Sequence, residues 1–287
     1  MKTDDAIKKR IRELSIRKEL PDKTPYTGIS IGNIIDISGK TGLSSSEIEI
    51  ASLEEEIIPE RYIRNMKSFS ATDQATLLRS KASIVGLGGL GGTVTEILAR
   101  TGIGALNLID GDVFEESNLN RQYLCTESAV SKPKADAAAK RVKEINSSVT
   151  VFHYRKNLNE ENASAMIQYS DVVIDCLDSL PGRFILEKVS KKAGCRLVSA
   201  AVAGNYGHIT TIFPEDPGLK LIYGDPENAP NKGAETSLGA LSFCVSLVAS
   251  LEASEAIKIL LNRGSLLRNK LLVVDLESNA FETIQLI

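Results

Sequence analysis

Ala82-Ser83-Ile84-Val85-Gly86-Leu87-Gly88-Gly89-Leu90-Gly91-Gly92 is an apolar run that empties into a glycine turn, and a helix-like segment from Gly92 to Arg100 follows it. A strand feeding such a turn at the mouth of a helix leaves bare backbone N–H groups and the positive end of a helix dipole where a phosphate can sit. Gly86, Gly88 and Gly91 satisfy the G-x-G-x-x-G pattern. Asp110 closes the next apolar run, Ala105 to Ile109, about 20 residues on, where a ribose-binding carboxylate belongs. On these residues alone a nicotinamide or flavin enzyme is the leading reading.

The continuation, Asp110-Gly111-Asp112-Val113-Phe114-Glu115-Glu116-Ser117-Asn118-Leu119-Asn120-Arg121-Gln122 and then Lys132-Pro133-Lys134, fits a dinucleotide fold poorly. A dinucleotide carries only a pyrophosphate, which glycine-loop amides and a helix terminus largely satisfy. Added Arg and Lys at the same strand ends suggest a more charged phosphate chain. Arg121 and Lys134 therefore point to a triphosphate, with Asn118 and Gln122 as short polar groups able to orient it. Either cation by itself reads more readily as a solvated surface charge, as most Arg and Lys are.

Taken in order, Gly86-x-Gly88-Gly89-Leu90-Gly91, Asp110-x-Asp112, Ser117-Asn118-Leu119-x-Arg121-Gln122, Lys132-Pro133-Lys134 and Asp175-Cys176-x-Asp178 resemble the adenylation domain of the ThiF/MoeB/HesA family, relatives of ubiquitin-activating enzymes. The resemblance runs from about Arg61 to the end, close to four fifths of the chain. Within it, Arg61-Tyr62-x-Arg64-Asn65 resembles the family's Arg-Tyr-x-Arg-Gln, with Asn for Gln. It implies that Gly88 and Gly89, in the loop of Gly86, Leu90 and Gly91, lie against the phosphates of ATP. Asp110 would hold the ribose with Asp112 beside it, and Asn118, Arg121, Gln122 and Lys134 would bind the triphosphate. Asp178 matches the family's magnesium-site aspartate. Arg64 matches an arginine that reaches into the active site of a partner subunit, which implies a homodimer.

The reaction so implied is ATP-dependent adenylation of a carboxylate with release of pyrophosphate, foremost on the C-terminal glycine of a ubiquitin-like sulfur-carrier protein. A carboxylate on a small molecule, cofactor precursor or tRNA is the alternative. An NAD-dependent oxidoreductase and a non-catalytic nucleotide-binding scaffold are the remaining readings. The residue types suit adenylation. A carboxylate attacking the α-phosphate approaches an anionic centre, so charge on the attacked phosphoryl group and on departing pyrophosphate must be neutralised. Arg64 and Arg121 can fork onto phosphate oxygens, Lys134 is a point charge, and Asp178 can hold hydrated Mg²⁺. The nucleophile is ionised at neutral pH, so no general base is needed. The scarcity of histidine, only His153 and His208, is then no obstacle, and each reads as a strand-surface residue.

Cys125, Cys176, Cys195 and Cys244 contain no Cys-x-x-Cys pair, so no structural zinc is expected, although many relatives carry one. Some relatives use a crossover-loop cysteine for a thioester or persulfide; the corresponding stretch here, about 214–237, has none. Cys176 and Cys244 read as small buried hydrophobes and Cys195 as lying at a strand entrance. Cys125 reads as the one thiol near the nucleotide pocket, with nothing to argue that it is activated.

The chain has 287 residues, 43% hydrophobic and 25% charged, which suits one large α/β domain with an appendage. A formal net charge of −3 gives no electrostatic case for nucleic-acid binding. No apolar run approaches the ~20 residues of a membrane span, and the N-terminus is too polar for a signal peptide. Four unpatterned cysteines fit a reducing cytoplasm.

Residues 4–20 place Ile7, Ile11 and Leu14 on one helical face, 21–32 read as a loop, and Ser44-x-x-Glu47 resembles a capping box before a helix to about Glu56. Residues 1–60 thus read as a small helical extension, and 61–287 as the ATP-binding adenylation domain. After Ser70, helices over 72–79, 92–100, 133–145, 160–169 and 181–193 alternate with strands over 82–85, 105–109, 149–153, 172–176 and 196–200, with Pro133 at the permitted first position of its helix. That alternation specifies a Rossmann-like, mainly parallel sheet with helices on both faces. Strands over 208–213, 270–276 and 281–286 read as antiparallel C-terminal additions around one long apolar helix over 238–261. Gly86, Asp110 and Asp178 all fall at or just after strand ends, where ligands bind in such sheets.

Overall fold

The computed structural model describes residues 5–228 and 233–287. The chain opens with α1 (Asp5–Leu14), a hairpin of β1 (Ile16–Glu19) and β2 (Pro25–Ile29), helices α2 (Ile31–Thr41) and α3 (Ser45–Glu54), and the two-residue strand β3 (Ile58–Pro59). The helix expected over 4–20 therefore stops at Leu14, and Asp4 lies outside the described residues. Past Leu14 no further apolar residue falls at helical period, and Ile16-Arg17-Lys18-Glu19 instead pairs antiparallel with β2, inside the stretch expected to be loop. β2 pairs parallel with β3, so the extension carries a three-stranded sheet besides its helices.

The capping box at the start of α3 forms as expected. Ser44 Oγ accepts the Glu47 N–H at 3.2 Å and Glu47 Oε2 accepts the Ser44 N–H at 2.8 Å. Ile11, Ile29, Ile34, Ile37, Ile48, Ala51 and Ile57 make the extension's own core. Glu49 is fully buried and reaches past that core. It accepts hydrogen bonds from Ser148 Oγ at 2.9 Å and from the Tyr62 hydroxyl at 3.1 Å, with Arg61 Nε 3.3 Å away. Burial pushes its carboxyl above the usual range, against the pull of Arg61.

The remainder runs α4 (Ala71–Arg79), β4 (Lys81–Val85), α5 (Gly89–Thr101), β5 (Ala105–Ile109), α6 (Lys134–Ile145), β6 (Thr150–Tyr154), α7 (Ala163–Ile167), β7 (Val172–Asp175), α8 (Leu180–Lys192) and β8 (Arg196–Ala203). Then come β9 (Tyr206–Ile212), α9 (Lys220–Tyr223), α10 (Glu235–Leu238), α11 (Ser242–Leu261), β10 (Lys270–Asp275) and β11 (Ala280–Gln285). Eight strands form one sheet in the order β11-β10-β9-β8-β7-β4-β5-β6. β6, β5, β4, β7 and β8 are parallel, and β9, β10 and β11 are added antiparallel.

Both faces of the central strands β4, β5 and β7 are covered, which is why they are mostly apolar and buried on all but their first residues at most. Ala82 and Ile84 of β4 pack with residues of α5, α6 and α11, whereas Val85 packs with α7 and α8; β7 splits the same way, Val172 and Ile174 against Val173. From β4 the chain winds outward on one side through β5 and β6 and on the other through β7 and β8. A crevice must therefore open between the C-terminal ends of β4 and β7.

Several boundaries move for local reasons. Pro133 precedes α6 rather than beginning it, and the helix expected over 160–169 is reduced to Ala163–Ile167, since Gln168 turns extended and Tyr169 has φ of +61°. The long apolar helix begins only at Ser242, because Gly239 takes φ of +68° and Ala240 bridges to Gly204. Of the crossover stretch 214–237, residues 229–232 lie outside the described residues. Among the described residues no helix is long and apolar enough to cross a membrane.

Candidate functional site

A cleft of about 1020 Å³ opens beyond the C-terminal ends of β4, β5 and β7. Its floor is the glycine turn. Gly86 leaves β4 with φ of +88°, and a Cβ there would lie 2.5 Å from the Cys176 carbonyl oxygen. A Cβ on Gly91 would lie 1.8 Å from the Gly86 carbonyl oxygen, so the turn folds back on itself more tightly than any other residue permits. Gly88 caps α5, whose first N–H groups have no partner within the helix and sit at the cleft wall with the positive end of its dipole. Gly86, Gly88, Gly89 and Leu90 line the cleft, whereas Gly91 lies beneath and sets the shape of the turn.

Asp110, Asp112, Arg121, Gln122, Lys134 and Asp178 line the same cleft. Asp110 stitches the floor to the end of β5: its Oδ2 accepts the Leu87 N–H at 2.7 Å and its Oδ1 the Asp112 N–H at 2.8 Å. Burial raises its pKa, opposed by Lys134 and by those two backbone donors. Lys134 is only 8% exposed, and its Nζ lies 3.1 Å from Asp112 Oδ2. Arg121 donates through Nη1 to the Ser117 carbonyl at 2.9 Å and to Asn120 Oδ1 at 2.8 Å. Gln122 is buried, with its Oε1 lacking a hydrogen-bond partner among the described residues and its Nε2 close to Gly88. Asp178 is exposed to the cleft and has no hydrogen-bond or ion-pair partner among the described residues.

Asn118, expected at the triphosphate, is not on this wall, and Arg64, expected to reach a partner subunit's site, lies outside the cleft of its own chain. Asn118 is buried away from the cavity, where its Oδ1 accepts the Glu115 N–H at 3.1 Å and its Nδ2 donates to Ser117 Oγ; it orders the turn that carries Arg121. Arg64 is exposed on the turn after Glu60–Tyr62.

The thiol at the pocket is Cys176, which lines the cleft, rather than Cys125, which does not. Cys125 is buried with its Sγ 3.8 Å from the Glu115 carbonyl, and burial pushes its pKa up. The Cys176 thiol is pushed well up, by burial first and then by Glu252.

Sequence reasoning also missed Arg183, His208 and Tyr223, all lining the cleft. His208 is not a strand-surface residue: its Nε2 lies 2.9 Å from the Tyr223 hydroxyl, and burial with the nearby Arg183 holds its pKa down to about 4. His153, by contrast, is exposed on β6 beside Asp136. Past Arg183 the cleft continues along β8 and β9 between small residues, among them Ala201, Ala203, Gly207, Gly239 and Ala240. Chemically, the cleft can take a polyanion on its glycine floor, with the cations Lys134 and Arg121 and the Asp178 carboxylate among its lining residues.

The profile of the ThiF family matches residues 61–287. The chain is 35% identical over 230 residues to the SAMP-activating enzyme E1 of Haloferax volcanii, covering 78% of this chain and 84% of that protein. It is 33% identical over 229 residues to the adenylyltransferase and sulfurtransferase MOCS3 of Xenopus laevis, covering 79% of this chain and 51% of that one, so the chain spans about half the length of that relative. The fold is also similar to that of E. coli MccB crystallised with ATP, at a TM-score of 0.69 and 22% identity, over 79% of this chain and 71% of that one.

Proposed function

The chain belongs to the ThiF family, and from that premise we propose that it adenylates the C-terminal carboxylate of a ubiquitin-like sulfur-carrier protein with ATP, releasing pyrophosphate. It is an adenylyltransferase of the ThiF and MoeB type. The observation that carries the reading is the convergence of the α5 terminus, Arg121, Lys134 and Asp178 on one cleft.

ATP would lay its phosphates along Gly88 and Gly89, where the free N–H groups of α5 donate to them. Gln122 Nε2, beside Gly88, suits a phosphate oxygen, and Asp110 at the end of β5 suits the ribose. Lys134 and Arg121 neutralise charge on the phosphate chain, Arg121 exchanging its bonds to Ser117 and Asn120 for phosphate oxygens. A carboxylate oxygen of the carrier attacks the α-phosphorus, the bond to the bridging oxygen breaks, and pyrophosphate departs with the electron pair. No proton moves, which suits a cleft whose one histidine is held neutral.

Asp178 fits a magnesium ion, since Mg²⁺ takes one or two carboxylates together with phosphate oxygens and water, and this carboxylate faces the cleft with no other partner. Bound there, the ion would neutralise charge on the departing pyrophosphate. The end of the cleft where Ala201, Ala203, Gly207, Gly239 and Ala240 lie suits a glycine-ended tail, and the exposed strand β11 at the edge of the sheet suits the carrier's body.

Arg64, exposed outside its own cleft, supports a homodimer in which it reaches the partner's site. Burial raises all four thiols, so the acyl-adenylate is left for an external nucleophile. The cytoplasm, where such thiols stay reduced, is the compartment that suits it.

ATP–pyrophosphate exchange tests the proposal. Carrier-dependent exchange, abolished by Asp178→Ala, is the expected result. Exchange driven instead by small carboxylates would move the substrate class, and tight ATP binding with no exchange under any condition would overturn adenylation.

A further inference from the structure

The segment that brings Asp178 to the cleft is gripped by a buried ion pair. Asp175, the last residue of β7, is fully buried; its Oδ1 accepts the Leu177 N–H at 3.1 Å, and its Oδ2 accepts from Ser199 Oγ at 2.7 Å and from Arg183 Nη1 at 3.0 Å. Arg183, in the first turn of α8 and 4% exposed, also donates to the Ala200 carbonyl at 2.8 Å and, through Nη2, to the Leu177 carbonyl. Both polar groups of the Leu177 backbone are thus bonded to the two members of one pair, and the next residue is Asp178. The same segment backs the glycine turn, through the Cys176 carbonyl against Gly86 and the Cys176 Cβ against Gly91.

We infer that Arg183 is a positioning residue for adenylation: with Asp175 it clamps the Leu177 backbone and so aims the Asp178 carboxylate at the metal-bearing phosphates. The inference rests on the reading of Asp178 as the metal-site carboxylate. A buried pair kept only for stability would not need this geometry, because apolar side chains of similar volume commonly serve as well. Here the guanidinium reaches acceptors on β7, on β8 and on the loop between β7 and α8. A planar fork of five donors spans such a set, and an ammonium does not.

The test is a Mg²⁺ titration of two readouts, equilibrium binding of a fluorescent ATP analogue and ATP–pyrophosphate exchange, on wild type, Arg183→Lys, Asp178→Asn and the charge-neutral pair Asp175→Asn with Arg183→Met. The clamp predicts that Arg183→Lys raises the Mg²⁺ needed for half-maximal binding by about tenfold, as loss of an orienting contact to a metal ligand does. Binding measured without Mg²⁺ should stay close to wild type. If the lysine variant does not fold, the double variant decides, since it leaves no unpaired charge and is expected to show the same shift. An unchanged Mg²⁺ requirement in a folded variant, even with slower exchange, overturns the inference. Asp178→Asn with wild-type Mg²⁺ dependence overturns the metal reading and the inference with it. Absence of exchange in the wild type overturns adenylation alone, and the binding titration still decides the role of Arg183.

Discussion

Gly88 and Gly91 stand three residues apart in one turn and answer to different demands. A methyl on Gly91 would collide with the Gly86 carbonyl, whereas on Gly88 the nearest atom is Gln122 Nε2 at 3.4 Å. Gly91→Ala should therefore cost about 2–3 kcal/mol of stability, as overpacking at an unyielding site does, and take nucleotide binding with it. Gly88→Ala should unfold at the wild-type denaturant midpoint yet bind ATP about tenfold more weakly, its methyl standing where phosphate would lie. Calorimetry and denaturant titration separate the two.

His208 gives a pH prediction. Its folded pKa is about 4, below the ordinary histidine value, so the unfolded chain takes up a proton between pH 6.5 and 4 that the fold refuses. That stability is fully present above pH 6.5 and lost toward pH 4, at up to about 1.4 kcal/mol per pH unit. The stability gap between wild type and His208→Gln should accordingly narrow between pH 7 and pH 4.5. The glycine turn and Asp110 are legible in the sequence because neighbouring residues set their geometry. Arg183 and His208 are not, because nothing local marks an arginine in a helix or a histidine in a strand as facing inward. Only the pairing of β7 with β8 brings Asp175, Ser199 and Ala200 around Arg183.

The elements of the alternating β and α stretch were readable, whereas β1, β2 and α2 of the extension were not. β4, β5 and β7 are mostly apolar because both of their faces are covered, with buried Asn107 donating to Ser83 inside them, and their register follows. β1 has every residue exposed, so no apolar pattern announces it; its pairing with β2 does the work that a helical face was expected to do. α3 is the converse case, since its capping box is a local signal and forms as written. Ser44→Ala should lower stability by about 1 kcal/mol without altering nucleotide affinity, read from urea unfolding beside analogue binding.

On the scale of the whole molecule, the cleft of one chain contains Lys134 but not Arg64. If the active unit is a homodimer with Arg64 completing the partner's site, Arg64→Ala and Lys134→Ala should each be inactive alone. Mixed in equal amounts after subunit exchange, they should recover about a quarter of wild-type exchange activity, because half the dimers then carry one intact site. No recovery would confine the site to one chain. The extension belongs to this larger unit too. Glu49 sends a fully buried carboxylate from α3 to Tyr62, Arg61 and Ser148; without it Ser148 Oγ would lose its acceptor and Tyr62 and Arg61 would be left with Asn146. Amide protons of α2 and α3 should therefore exchange only when the entire chain opens. A descendant of this sequence could not shed its first sixty residues, or trade them for another module, without rewriting the interior of the catalytic body at the same time.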